Sequence, residues 1–256
     1  MIRSNMKIFL FVSLLSFYVF PQSDNSYLTK GDDYYKKFDL INAAKNYESA
    51  YKKNPNNYFV LERVTNIFND LGEDYYEMYD KDNAEQSFNK AVKYAEIFYS
   101  KFPDSARVYT LIAMSYGNLA LFKGGNEKIK LANKIRENAE KSIKLNPNDY
   151  LPYIILGIYN REIASLSWFE KTFANTFFGK VPEGSLKSAE ELIIKALTIN
   201  PGIITAMYQL SLVYQEMENE QKEIEWLKKV IDAPVTDFRD KYAKRKAKER
   251  LKDLLN

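Results

Sequence analysis

Few residue types in this 256-residue chain could do chemistry, and what is missing decides most of the question. There is no Cys and no His. That removes disulfides, thiolate nucleophiles, Cys/His zinc sites and imidazole acid–base catalysis together. Beyond the N-terminal 22 residues, two Ser-x-x-Lys pairs, Ser49 with Lys52 and Ser87 with Lys90, have the spacing at which a lysine can serve a serine nucleophile. Both sit in the middle of helical periodicity and no Lys-Thr-Gly accompanies them, so no catalytic residue is assigned. Neither a G-x-S-x-G elbow nor a P-loop nor a G-x-G-x-x-G turn is present. Asp70, Glu73, Asp74, Asp80 and Asp82 cluster without the order of a calcium loop. They read as a solvated helix face, and no metal or cofactor is expected. The chain is predicted not to be an enzyme.

A second constellation is aromatic. Trp168, Phe169, Phe173, Phe177 and Phe178 fall within eleven residues, inside an insertion at 165–183. On a helix, Phe169, Phe173 and Phe177 share one face at i, i+4 and i+8. Such a stripe either packs back onto its neighbours as core or forms a lip facing a ligand or a membrane. These five are the candidate partner- or ligand-binding residues.

The elements that must carry these residues are helical and recurrent. Tyr27, Gly31, Tyr34, Ala43, Tyr47, Ala50 and Pro55 follow the tetratricopeptide pattern, a unit of two antiparallel helices. Pro55, Pro103, Pro147, Pro201 and Pro234 end successive stretches at spacings of 48, 44, 54 and 33 residues. A proline disfavours helix in the residue before it, so each marks a stop. The longer spacings predict lengthened helices. In unit two the faces are Leu61, Val64, Phe68 and then Ala84, Phe88, Ala91. Unit three offers Tyr109, Ile112, Ala113, Tyr116, a turn at Gly124–Gly125, and Ile135, Ala139, Ser142. Unit four gives Tyr153, Leu156, Gly157 and Ala189, Ile193, Ala196. Unit five gives Met207, Leu210, Ser211, Tyr214 and Glu223, Leu227, Val230. The predicted fold is all-α: a right-handed tetratricopeptide-like helical-repeat solenoid of about five helix pairs over 24–235, then a capping helix at 236–256. That last segment holds eight basic and four acidic residues and reads as a polar cap. A basic surface for an anionic partner is the alternative. Tyr and Asn on the first helix of each pair are the expected groove contacts.

Residues 1–22 differ. Arg3 and Lys7 precede an apolar and hydroxyl run, Ile8 to Phe20, too short to span a bilayer comfortably. This reads as a signal peptide, with an uncleaved anchor as the alternative, and predicts export to a periplasm or cell envelope. Without that segment the basic and acidic totals are 35 and 34. A general nucleic-acid binder would show a basic excess.

Residues 126–254 carry a further likeness. EKIKLANKIRENAEKSIKLNPND, the hairpin stretch with ASLSW, FFG and VPEGS in that order, and EIEWLKKVIDAPVTDFRDK resemble the family of regulators of microtubule dynamics. The resemblance implies an all-helical repeat stack; eukaryotic members associate with microtubules or tether membranes. With an export signal in front, the expectation for this chain is a non-enzymatic exported scaffold or adaptor whose partner is a protein or peptide. A small-ligand carrier assisting a transporter, or a membrane-anchored tether, is the alternative. Membrane contact would then run through the N-terminal segment or the aromatic insertion.

Overall fold

The computed structural model describes residues 26–167, 171–172, 176 and 184–256. Among them are eleven α-helices and no strand: α1 (Ser26–Lys36), α2 (Leu40–Lys53), α3 (Tyr58–Glu77), α4 (Lys81–Lys101), α5 (Ala106–Lys123), α6 (Gly125–Leu145), α7 (Leu151–Ala164), α8 (Leu186–Ile199), α9 (Ile204–Glu216), α10 (Glu220–Asp232) and α11 (Asp240–Leu255). The ends follow the sequence. Asn54, Asn146 and Asn200, each followed by proline, are the C-caps of α2, α6 and α8. At helix starts the side chains of Asp39, Asn57, Asp80, Ser185 and Asn219 accept from the N–H three residues on.

In four of the five pairs the turn carries a described residue with positive φ, and the α5–α6 turn carries two, Gly124 and Gly125. Gly124 (φ 64°) does so as its lack of a Cβ allows. Phe38 (φ 59°), Tyr79 (φ 63°) and Glu218 (φ 57°) do it elsewhere, against the preference of L residues. The helices then close tightly. A Cβ on Gly31 would lie 2.4 Å from the Tyr47 ring, one on Gly72 2.4 Å from Phe88, and one on Gly157 2.5 Å from Ile193. A small residue on the first helix thus receives a large one from the second, three times along the stack.

Five pairs stack in chain order, with α1, α3, α5, α7 and α9 as an inner layer and their partners outside. Among the inner helices, α5 also touches both α3 and α7 directly. Being covered on several sides, α5 buries Val108, Thr110, Leu111, Ile112, Ala113, Ser115, Tyr116 and Ala120, well beyond one stripe. Tyr109, expected on its buried face, is half-buried instead and meets the Tyr99 ring edge-on at 5.7 Å. The expected lengthening is present: α3 and α4 have 20 and 21 residues against 11 and 14 in α1 and α2. The hydrophobic core runs along the stack, Phe98 and Leu111 in one part, Ile193 and Leu210 in the next. No described helix is long and apolar enough to cross a membrane.

Candidate functional site

The inner helices enclose a groove of about 1200 Å³. Its middle is apolar, lined by Met114 and Leu121 of α5 and Ile154, Ile155 and Ile158 of α7. Gly117 lies among them, and a Cβ there would meet nothing within 4 Å. Tyr35, Asn66, Asn118, Tyr150, Tyr208 and Gln209 supply polar groups along the same wall. All but Gln209 are Tyr or Asn on or beside first helices, the residue types expected along the groove.

Polar side chains link one inner helix to the next. Arg63 Nε donates to Asp32 at 2.9 Å, and Arg107 Nε to Glu62 at 2.8 Å. Asn118 donates to Asn69 at 3.1 Å and to Glu73 at 2.9 Å. Asn69, fully buried, donates in turn to Ser115 at 2.9 Å. Toward the later repeats, Arg161 holds Gln209 at 3.0 Å and Glu162 at 2.8 Å. The Lys128 and Arg161 hydrogen bonds keep the Glu162 carboxyl below its usual range despite burial that works the other way.

One end of the groove is occupied by the chain itself. Thr236–Arg239 and the first turns of α11 cross from the last pair to α3. Arg239 Nε donates to Glu73 at 2.6 Å and its NH2 group pairs with Asp70. The Tyr242 hydroxyl donates to Asp74 at 2.5 Å, Arg245 reaches Glu77 at 3.0 Å, and Lys246 pairs with Glu77 as well. These contacts join residues 166 to 169 apart in sequence. Phe238, 2% exposed, is buried with Leu28, Ile67 and Phe68 in the core of the first two pairs. The crossing loop is preformed: the Asp240 carboxylate accepts from the N–H groups of Thr236 (2.7 Å) and Asp237 (2.8 Å).

The electrostatics of this end are lopsided. Asp70 is 1% exposed, and burial pushes its carboxyl up, to about 6, against the pull of Arg239. Glu73 and Asp237 add to the rise, so three carboxylates share one guanidinium. For Arg239 burial works against its charge, but the surrounding carboxylates outweigh it and hold it protonated well above its ordinary value. Tyr35, donating to Asp70 at 2.8 Å, is pushed up by burial and by that carboxylate.

The acidic patch is therefore not the solvated helix face expected of it. Asp70, Glu73 and Asp74 are covered by the C-terminal segment; only Asp80, as N-cap of α4, and the exposed Asp82 stay at the surface. No signal local to α3 could reveal a partner so distant in sequence. The Ser-x-x-Lys pairs are structural: Ser49 Oγ donates to the Lys45 carbonyl at 2.8 Å, and Lys90 turns to Glu48 at 3.0 Å. Trp168, Phe169, Phe173, Phe177 and Phe178 lie outside the described residues. The base of their insertion is fixed, since Leu166 is buried and a Cβ on Gly184 would lie 2.6 Å from Ile163 Cβ.

A family model described as regulator of microtubule dynamics protein 1-3 matches residues 20–255. The chain belongs to that family. Human regulator of microtubule dynamics protein 2 is 28% identical over 144 residues, which is 56% of this chain and 35% of the relative. Regulator of microtubule dynamics protein 1 of Bos taurus is 26% identical over 163 residues, 63% of this chain and 51% of the relative. This family member thus spans about a third to a half of the length of the curated relatives it matches. Among solved structures, a thermophilic tetratricopeptide-repeat protein of Thermus thermophilus superposes with a TM-score of 0.63 at 15% identity, over 90% of this chain and 98% of that one. That likeness shows the fold: a helical-repeat solenoid of the tetratricopeptide type.

Proposed function

We propose that this regulator of microtubule dynamics family member is a non-catalytic scaffold that holds a segment of a partner protein along its concave groove. The observation that carries this is the groove itself. It runs past the first helix of every pair, with an apolar middle and hydrogen-bonding groups beside it, the composition by which a peptide is gripped and oriented. Open space beside Gly117 gives a clean test. Gly117→Leu fills the groove from its wall, and leucine in place of a helical glycine should hold or raise stability by up to about 1 kcal/mol. Proteins retained by the wild type should be lost by this variant while its melting temperature stays equal or rises. An unchanged set of retained proteins would sink the reading.

The charged and then apolar stretch at 1–22 supports a place outside the cytoplasm for this scaffold. Fractionation of the expressing cell with mass spectrometry of the mature N-terminus tests it; a cytoplasmic protein beginning at Met1 would refute export.

A further inference from the structure

We propose that the acidic stripe of α3 is a recognition site for a basic–aromatic helical segment, filled in the free protein by residues 236–246 of the same chain. The proposal rests on the scaffold reading above and names the chemistry of what the groove's charged end accepts.

Asp70, Glu73, Asp74 and Glu77 recur at i, i+3, i+4 and i+7, so they form one stripe along α3. Opposite them stand Arg239, Tyr242, Arg245 and Lys246, at i, i+3, i+6 and i+7. The two series meet in step: 239 with 70 and 73, 242 with 74, 245 and 246 with 77. Phe238 adds an apolar anchor in the core beside the stripe. This is the arrangement of a helix docked by one face, with aromatic anchors and flanking cations. The occupant reads Phe-Arg, then Tyr, then Arg-Lys, and a partner with the same order offers the same contacts.

The outer half of this site is suited to exchange. The occupant's outer contacts are surface pairs: Arg245 and Lys246 side chains are 45% and 38% exposed, while Glu77 beneath them is 15% exposed. Such exposed pairs contribute little each. The inner contacts, Phe238 and the Asp70–Arg239 pair, are buried and give the site its preference. A partner segment must therefore displace the resident one, and its apparent affinity falls by the fraction of time the site is open.

The experiment uses the full chain and a fluorescein-labelled peptide of residues 234–248, with binding followed by anisotropy. Wild type should bind it weakly. Arg245→Gln with Lys246→Gln, surface changes that leave the core alone, should tighten binding about threefold, and Phe238→Ser with Arg239→Ser about tenfold or more, each tenfold being about 1.4 kcal/mol of weakened closure. Adding Asp74→Asn and Glu77→Gln to the milder variant should abolish the gain. Equal binding by wild type and the milder variant, or binding that survives the carboxylate changes, overturns the proposal. So does an absence of binding by a variant that melts as wild type does. Gly117→Leu does not touch this stripe and should still allow peptide binding in the milder variant. Partner loss in Gly117→Leu without peptide binding therefore leaves the groove reading standing and removes only this inference.

Discussion

Arg239→Leu should destabilise the protein in a way that depends on pH, and the direction follows from Asp70. The guanidinium is the cation facing a carboxylate that is 1% exposed and receives one further hydrogen bond, from Tyr35. Removing one partner of a buried pair typically costs about 3–5 kcal/mol, because the other charge is left without compensation. A carboxyl can escape by taking a proton. In the wild type, burial already places the Asp70 carboxyl at about 6, above its unfolded value of about 3.9. A raised folded value means that the native state holds the proton more tightly, so stability falls as pH rises from about 4 to that value and is level above it. Without Arg239 the folded value climbs further, and the falling limb extends upward by about 1.4 kcal/mol per pH unit. The variant's deficit relative to wild type should thus be smallest near pH 5 and grow by about 2–3 kcal/mol by pH 8. For a chain of this size that extra loss is about 4–12 °C in melting temperature. Circular dichroism melts at the two pH values measure it. Pairing Arg239→Leu with Asp70→Asn should remove most of the added pH dependence, since the carboxyl that the guanidinium compensated is gone. Equal deficits at pH 5 and pH 8 in the single variant would refute the buried-charge account.

Other substitutions probe the stack and its turns. Gly157→Ala pushes a Cβ to 2.5 Å from Ile193, which is fully buried, and should cost on the order of 1–3 kcal/mol in a denaturant titration; a neutral result would mean that α7 and α8 can separate freely. Tyr214→Phe removes the 2.7 Å hydrogen bond that, ahead of the lysine contacts, holds the Glu190 carboxyl below its usual range. Because that carboxyl's folded value is lowered, its contribution is present above about pH 4.5 and is lost as pH falls through the folded value. The variant should therefore be weaker by about 1.5–3 kcal/mol at neutral pH and approach wild type in acid; a deficit independent of pH would count against it. Tyr79 is 84% exposed at φ 63°, so Tyr79→Gly should relieve left-handed strain and raise stability by about 0.5–1 kcal/mol, and an unchanged melt would show the turn to be unstrained.

The stack was legible in the sequence because its determinants are local. Gly31 faces Tyr47 and Gly157 faces Ile193 within single helix pairs, and periodicity finds such partners. The Asn-Pro stops at 54, 146 and 200 work through backbone sterics over two residues, so they too are readable. Less was legible wherever burial came from a third element. Tyr109 shares a helical face with Ile112, but the neighbours that cover Val108 and Leu111 leave it at the edge. Glu223, placed on a buried face by register alone, is indeed buried, and Arg250 of α11 donates to it at 2.6 Å. Asp70 is the extreme case. Its sequence neighbours are acidic and its position suits a wet face, while the cation beside it lies 169 residues away.

That distance changes what kind of solenoid this is. In an open array each repeat touches only its neighbours, and the end repeats are the most easily frayed. Here α11 packs on α9 and α10 while its first turns reach α3, so the last pair and the second are held by each other as well as by the stack between them. The connection costs the groove some openness and adds discrimination. A partner that simply filled the apolar middle would leave the charged end undisturbed. One that also carried aromatic and basic residues in the right order could exchange with the resident segment, and its net affinity would be the difference between two similar sets of contacts. The outer pairs of that set weaken with salt, whereas Phe238 and the buried Asp70–Arg239 pair are shielded from it. Salt therefore loosens the rim of the closure first and leaves its anchor, an ordering that sets the end of the resident segment from which displacement must begin.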